Sequence, residues 1–133
     1  FIAAHGAQPQ ADLEALWKRI VFNICVSNVD DHLRNHGFLL GPKGWVLSPA
    51  YDLNPVAYGQ GLSLNITETD NALDLELALS AAPHFRLTKA KAMQIIQEVR
   101  AAVQLWPARA RHHGIGRAEL DAMSPAFRKT TNL

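Results

Sequence analysis

Three polar side chains, Asp30, Asn35 and Asp52, have types and a spacing that phosphoryl transfer could use. That reaction needs an acceptor hydroxyl group to be oriented and the charge of the moving phosphate to be neutralised by Mg²⁺. An aspartate can accept the proton of the hydroxyl group. The side-chain oxygens of Asn and Asp are ligands that suit Mg²⁺. The set therefore predicts one proton acceptor and two metal ligands.

The segments around these residues predict how they are positioned. Apolar residues at steps of three and four predict a helix over residues 11–26, after a lead-in loop over residues 1–10. Short apolar runs at 37–40 and 45–48, joined by Gly41-Pro42-Lys43-Gly44, predict a β-hairpin. The polar stretch from Asn28 to His36 then lies between the helix end and the hairpin. Asp52 follows the second strand.

This order of elements assigns the roles. In kinase catalytic loops an Asn also follows the catalytic Asp by five residues, and the metal-binding Asp also follows a hairpin. Asn35 is five positions after Asp30, so Asp30 is the predicted base and Asp31 is one position out of register. Asn35 and Asp52 are the predicted Mg²⁺ ligands.

The second half of the chain predicts a helical domain. Residues 56–71 permit one short strand or an extended loop, and a helix is expected over about 73–81. Thr88 is a plausible N-cap for a long helix that Pro107 ends or kinks. Its expected inward stripe is Met93, Ile96, Val99, Val103 and Trp106. A last helix is expected over 117–123. The prediction is a single, mainly α (α+β) domain over residues 1–133 with one small hairpin.

Composition bounds the class of protein. The 133 residues are 48% hydrophobic and 19% charged with a net charge of +1, which is typical of a soluble globular domain and leaves nucleic-acid partners open. No apolar run reaches the roughly 20 residues needed to span a bilayer, and no signal-peptide pattern is present. Cys25 is the single cysteine, so no internal disulfide can form. That fits a cytoplasmic protein with a buried thiol.

Two stretches, residues 22–39 and 45–53, closely resemble the C-terminal region of HipA-like serine/threonine kinases, which are toxins of bacterial toxin–antitoxin pairs. The resemblance implies a helical kinase-like C-lobe with the hairpin between the catalytic loop and the metal-binding Asp. It implies ATP as a substrate, Asp30 as the catalytic Asp, and Asn35 and Asp52 as Mg²⁺ ligands. His32 and Arg34 would support the phosphate or the loop, and their roles stay open.

The resemblance also implies binding partners, and it implies that part of the kinase is missing from this stretch. Family substrates include an aminoacyl-tRNA synthetase, and a helix-turn-helix antitoxin would link the protein indirectly to DNA. A kinase has its phosphate-covering lobe upstream of the catalytic Asp, yet only 29 residues precede Asp30. No glycine pair matches a phosphate-loop motif. We therefore expect this stretch to be a C-terminal portion without its N-terminal lobe, to bind Mg-ATP weakly or not at all, and to be inactive alone. It could dimerise to cover apolar surface.

Other interpretations of the same residues remain. Asn28–Asn35 alone is typical of a helix cap or turn, and Asp52 alone of a turn. His32 and His36 stand four apart beside two carboxylates, which can suit Zn²⁺, but no HExxH glutamate follows and no zinc site is expected. A non-catalytic docking module is the further alternative, because the last quarter is basic and could approach DNA phosphates. Its basic residues are Arg109, Arg111, Arg117, Arg128 and Lys129.

Overall fold

The structure is a computed structural model that describes residues 1–130. The α-helices in that range are α1 (Ile2–His5), α2 (Pro9–Val26), α3 (Leu75–Ala81), α4 (Lys89–Gln104), α5 (Trp106–His112) and α6 (Arg117–Met123). Strands β1 (Phe38–Gly41) and β2 (Gly44–Leu47) form an antiparallel hairpin, and 3₁₀ helices cover Leu33–Asn35, Ala82–Phe85 and Ser124–Thr130. The predicted mainly α (α+β) class is confirmed. None of the helices within residues 1–130 is long and apolar enough to cross a bilayer.

Helix α2 is the centre of the core. Pro9 lies in its first turn, where a missing amide hydrogen costs nothing. The side chains of Trp17, Val21 and Ile24 are fully buried. The helix ends at Ser27, whose φ of 53° is left-handed and turns the chain into the polar stretch. The helix predicted over 11–26 is therefore present and begins two residues earlier.

Residues 1–10 were expected to form a loop, and this prediction was wrong. They include α1 and the first two residues of α2. The ring of Phe1 packs on Phe38 and Trp45, with centroids 4.7 and 6.0 Å away. These contacts with the distant hairpin stabilise a short helix that local glycine and proline residues disfavour.

The hairpin is fixed to α2 by a buried carboxylate. Phe38 pairs with Leu47, and Gly41 pairs with Gly44. Gly41 and Gly44, which were predicted to be in the turn, are therefore the last and first residues of the two strands, and the turn itself is Pro42-Lys43. Gly44 has a φ of 126°, which favours glycine at this turn. The amide N–H of Leu47 donates to Oδ2 of Asp12 over 2.9 Å. Asp12 is buried, so this bond sets where β2 lies on the helix.

The other helices pack around α2. The indole N–H of Trp17 donates to the carbonyl oxygen of Ala78 in α3 over 3.0 Å. The predicted N-cap is confirmed, because Oγ1 of Thr88 accepts from the amide of Lys91. On α4 the buried residues are Ala92, Ile95, Ile96, Val99 and Val103. Two residues of the predicted stripe, Met93 and Trp106, are only half-buried.

The connections and the last helix follow the remaining expectations. Residues 56–71 form an extended loop, one of the two forms that the sequence permits. The helix expected over 73–81 begins at Leu75, where Asp74 accepts from the amide of Glu76. Pro107 lies in the first turn of α5, so α4 ends before it. The helix predicted over 117–123 is present as α6.

Replacing Asp12 tests how the hairpin is attached. Asp12→Ala leaves the buried Leu47 amide without an acceptor, and we expect a loss of about 1–3 kcal/mol in the free energy of unfolding. Urea denaturation measures it. The control is Glu14→Ala in the same helical turn, because within residues 1–130 Glu14 pairs only with Lys91, over 3.3 Å at the partly exposed surface. That variant should lose less than about 1 kcal/mol. Equal losses would contradict the assignment.

The thiol of Cys25 is expected to react slowly. Burial raises its pKa to about 11, while the charge of Arg100 acts in the opposite direction. The thiolate is the reactive form, so alkylation by iodoacetamide near pH 8.5 should be roughly 100-fold slower in the folded chain than in urea. Mass spectrometry over time measures the rate, which should rise as the pH approaches 11. Fast labelling of the folded chain at pH 8.5 would show that the thiol is accessible.

Candidate active site

Residues 28–36, called the polar loop below, are held at their start by buried hydrogen bonds. The side chain of Asn28 donates to Oδ1 of Asn23 on α2 over 3.0 Å. The carbonyl oxygen of Val29 accepts from the amide and the hydroxyl group of Ser63, over 3.2 and 2.6 Å. A Cβ atom at Gly59 would overlap the side chain of Val29, so glycine permits this close packing. The backbone entering Asp30 is therefore fixed from two sides.

Asp30 and Asn35 differ in exposure. The side chain of Asp30 is exposed, and it makes no hydrogen bond or ion pair with residues 1–130. Asn35 is buried, and its Nδ2 atom lies 3.4 Å from the carbonyl oxygen of Asp30. The Oδ1 atom of Asn35 accepts no hydrogen bond from the described residues. That oxygen and the Asp30 carboxylate therefore have no hydrogen-bond partner within residues 1–130.

The neighbouring Asp31 has a different environment. It is buried, and its carboxylate lies 2.9 Å from Nε2 of His36. Because this pair holds the carboxylate inside the loop, Asp31 stabilises the loop while Asp30 faces solvent. The two adjacent aspartates, which the sequence distinguished only by their spacing from Asn35, therefore also differ in burial and in pairing.

Asp52 lies in residues 49–55, called the post-hairpin loop below. Its φ is 56°, the left-handed region that residues other than glycine seldom adopt. Its side chain is exposed, and Oδ1 accepts from Nδ2 of Asn54 over 2.6 Å. Unusual backbone conformations of this kind concentrate at functional sites. The backbone conformation therefore makes Asp52 a candidate functional residue, independently of its spacing from Asp30.

One hydrogen bond joins the two loops. The hydroxyl group of Tyr51 donates to the carbonyl oxygen of Arg34 over 2.7 Å. Tyr51 directly precedes Asp52, and Arg34 directly precedes Asn35. The two predicted metal ligands therefore each follow one end of this bond. Sequence analysis missed Tyr51, because nothing in the pattern distinguishes a bonded tyrosine from a packed one.

Arg19 is a second residue that sequence analysis missed. Its guanidinium group donates to the carbonyl oxygen of Ser48, directly after β2. Burial lowers the pKa of Arg19, and the negative charges of Asp31 and Asp12 act in the opposite direction. From the sequence alone, an arginine between the apolar positions of a helix is expected to face solvent. Here the side chain is half-buried and close enough to the buried carboxylates of Asp12 and Asp31 to interact with their charges.

The remaining predicted residues lie in the same loop. The ring of His32 is half-buried, and its Nδ1 atom has no hydrogen-bond partner. Arg34 is exposed, and none of the ion pairs found within residues 1–130 includes it. For the zinc alternative, Nε2 of His36 lies beside Asp31. No group of three or more His, Cys, Asp or Glu residues in the described range could hold a metal ion.

The basic residues near the C-terminus differ in what they contact. Arg109, Arg111 and Arg117 are exposed. Arg128 is also exposed, and it donates to the carbonyl oxygens of Gly59 and Pro125. Arg128 therefore stabilises the loop that packs on Val29, a role that basic composition did not predict.

A cleft of about 350 Å³ opens beside the polar loop. Its wall is mostly apolar, with contributions from α2, the hairpin and residues 62–66. Asp31, Leu33 and His36 line it, whereas Asp30, Asn35 and Asp52 do not. The cleft is therefore distinct from the three residues predicted to do chemistry.

The fold defines a mainly helical domain in which one hairpin separates two polar loops. The model of the HipA-like C-terminal domain family matches residues 1–106 of the 133, and the chain belongs to this family. The match includes Asp30, Asn35 and Asp52 and ends at the first residue of α5. No curated protein and no solved structure matches the chain.

Substitution of Asp52 tests its backbone conformation. A Cβ atom in the left-handed region costs about 1–2 kcal/mol, a cost that glycine avoids. We therefore expect Asp52→Gly to be about 1 kcal/mol more stable than Asp52→Ala in urea unfolding. The control is the exposed helical residue Asp121, where the order should reverse because glycine weakens a helix by about 1 kcal/mol relative to alanine. If alanine is the better residue at both positions, Asp52 is not left-handed in solution.

Proposed function

We propose that this chain is the catalytic C-terminal part of a HipA-like serine/threonine kinase, the toxin of a toxin–antitoxin pair, and that the complete protein transfers the γ-phosphate of ATP to a protein hydroxyl group. The observation that most supports this is the hydrogen bond between Tyr51 and Arg34. It joins the segments that contain Asn35 and Asp52, while Asp30 is exposed in the first of them. Family membership agrees with this assignment.

In the proposed reaction Asp30 orients the acceptor. Its exposed carboxylate has no partner among the described residues, so it is free to accept a hydrogen bond from the serine or threonine hydroxyl group and, late in the transfer, its proton. An aspartate paired inside the fold, as Asp31 is with His36, cannot do this without breaking that pair.

Asn35 and Asp52 are the proposed ligands of Mg²⁺. Both offer oxygen atoms, the donor type that this cation prefers. The free Oδ1 atom of Asn35 and the exposed carboxylate of Asp52 fit such a role. Bound Mg²⁺ neutralises phosphate charge. Asn54, which donates to Asp52 over 2.6 Å, orients that carboxylate.

Arg34 and His32 are proposed to support the phosphate or the loop. The exposed guanidinium group of Arg34 lies next to Asn35 and can form bidentate hydrogen bonds with a phosphate. ATP would be bound only weakly by this chain alone. The proposed partners are an acceptor protein, such as an aminoacyl-tRNA synthetase, and a helix-turn-helix antitoxin in the cytoplasm.

The base assignment is tested with Asp30→Asn in the full-length gene product. We expect phosphate transfer to fall by about 10²- to 10⁴-fold, because the amide cannot accept the proton. The melting temperature should stay unchanged, since the side chain is exposed and unpaired within residues 1–130. Transfer is measured from radiolabelled ATP to proteins of a cell extract. Asp121→Asn, an exposed substitution beyond the matched residues, is the control and should label like wild type. Normal labelling by Asp30→Asn would refute the assignment.

A further inference from the structure

The hydrogen-bonded contact between the two loops closes a small ring. At one end the amide of Ser48 donates to the carbonyl oxygen of Gly37 over 2.8 Å, directly beyond the hairpin ladder. From that pair the chain runs back three residues to Arg34 and forward three residues to Tyr51. The Tyr51 hydroxyl group then joins the two segments again over 2.7 Å.

No other hydrogen bond within residues 1–130 joins the polar loop to the post-hairpin loop. The base of the ring is well supported, because Arg19 donates to the carbonyl oxygen of Ser48. At the far end, the hydrogen bond of Tyr51 is the one that joins the two segments among the described residues. Without its hydroxyl group, the hydrogen bonds among the described residues would join the segments leading to Asn35 and Asp52 only at the hairpin end.

From this arrangement we propose that Tyr51 is a positioning residue for the divalent-cation site, whose hydroxyl group keeps the oxygens of Asn35 and Asp52 at the separation that one cation needs. The inference rests on the proposed function. Mg²⁺ tolerates little deviation from octahedral geometry, so two ligands on separate loops bind it well only if the loops are held in advance. Tyr51 would touch neither the cation nor the phosphate.

The expected effect is on cation affinity and not on the transfer step. Loss of one neutral hydrogen bond that organises a site weakens binding by about 2- to 10-fold. At saturating Mg²⁺ the cation itself holds the ligands together, so the maximal rate should return. A merely structural tyrosine would lower the melting temperature without changing the Mg²⁺ requirement.

The test compares Tyr51→Phe with Tyr58→Phe in the full-length gene product. Tyr58 is a matched control, because it is 78% exposed and its hydroxyl group bonds to none of the described residues. Transfer from radiolabelled ATP is measured across a Mg²⁺ titration. Calorimetry with Mn²⁺ and a non-hydrolysable ATP analogue measures cation affinity directly. Tyr51→Phe should need about 2- to 10-fold more Mg²⁺ and bind Mn²⁺ correspondingly weaker, with the maximal rate retained. Tyr58→Phe should match wild type.

An Asp52→Asn variant distinguishes failure of the role proposed for Tyr51 from failure of the proposed metal site. If it loses cation binding while Tyr51→Phe and Tyr58→Phe both behave as wild type, the role of Tyr51 is refuted and the proposed function stands. A lower maximal rate for Tyr51→Phe at an unchanged Mg²⁺ requirement also refutes it, as does a lower melting temperature alone. If wild type binds no Mn²⁺, or if Asp52→Asn binds it normally, the proposed metal site fails and the inference with it.

Discussion

The site depends on the attachment of the hairpin to helix α2. Asp12 accepts the amide of Leu47 near the start of the helix, and Arg19 donates to Ser48 two turns later. The C-terminal end of the same helix leads into the polar loop through Ser27. One rigid element therefore positions both segments of the candidate site, and a shift of the hairpin on α2 would move Asp52 relative to Asp30.

These attachments bring two buried carboxylates close to a half-buried guanidinium group. Asp12 and Asp31 are buried, and Arg19 lies close enough to both to interact with their charges. Burying a charge is unfavourable unless the charge is paired and hydrogen-bonded. Separating a buried pair destabilises a fold by more than the intact pair stabilises it. We infer that this group contributes mainly to selecting one position of the hairpin, a specificity that apolar packing alone would supply less sharply.

The segment beyond the matched family residues contacts residues that border and support the polar loop. Ser27 donates to the carbonyl oxygen of Ala126, and Arg128 donates to that of Gly59, which packs on Val29. Residues 124–130 thus stabilise the backbone that enters Asp30, although they lie outside the matched range. The loop conformation therefore depends on several distant parts of the chain, namely the end of α2, residues 59–63 and residues 124–130.

The sequence by itself determined the elements whose signals are local. The apolar period of α2, the Thr88 cap, the turn at Gly44 and the length of α6 all follow from neighbouring residues, and the spacing of Asp30, Asn35 and Asp52 selected the candidates. Tertiary structure decided α1, the burial of Asp12, the bond from Arg19 to Ser48 and the bond from Tyr51 to Arg34. The hydrogen bonds of Asp12, Arg19 and Tyr51 to the hairpin and the loops join residues 17 to 35 positions apart. Such partners lie far apart in the chain and come together only when the helix and the hairpin pack, so no local sequence pattern predicts them.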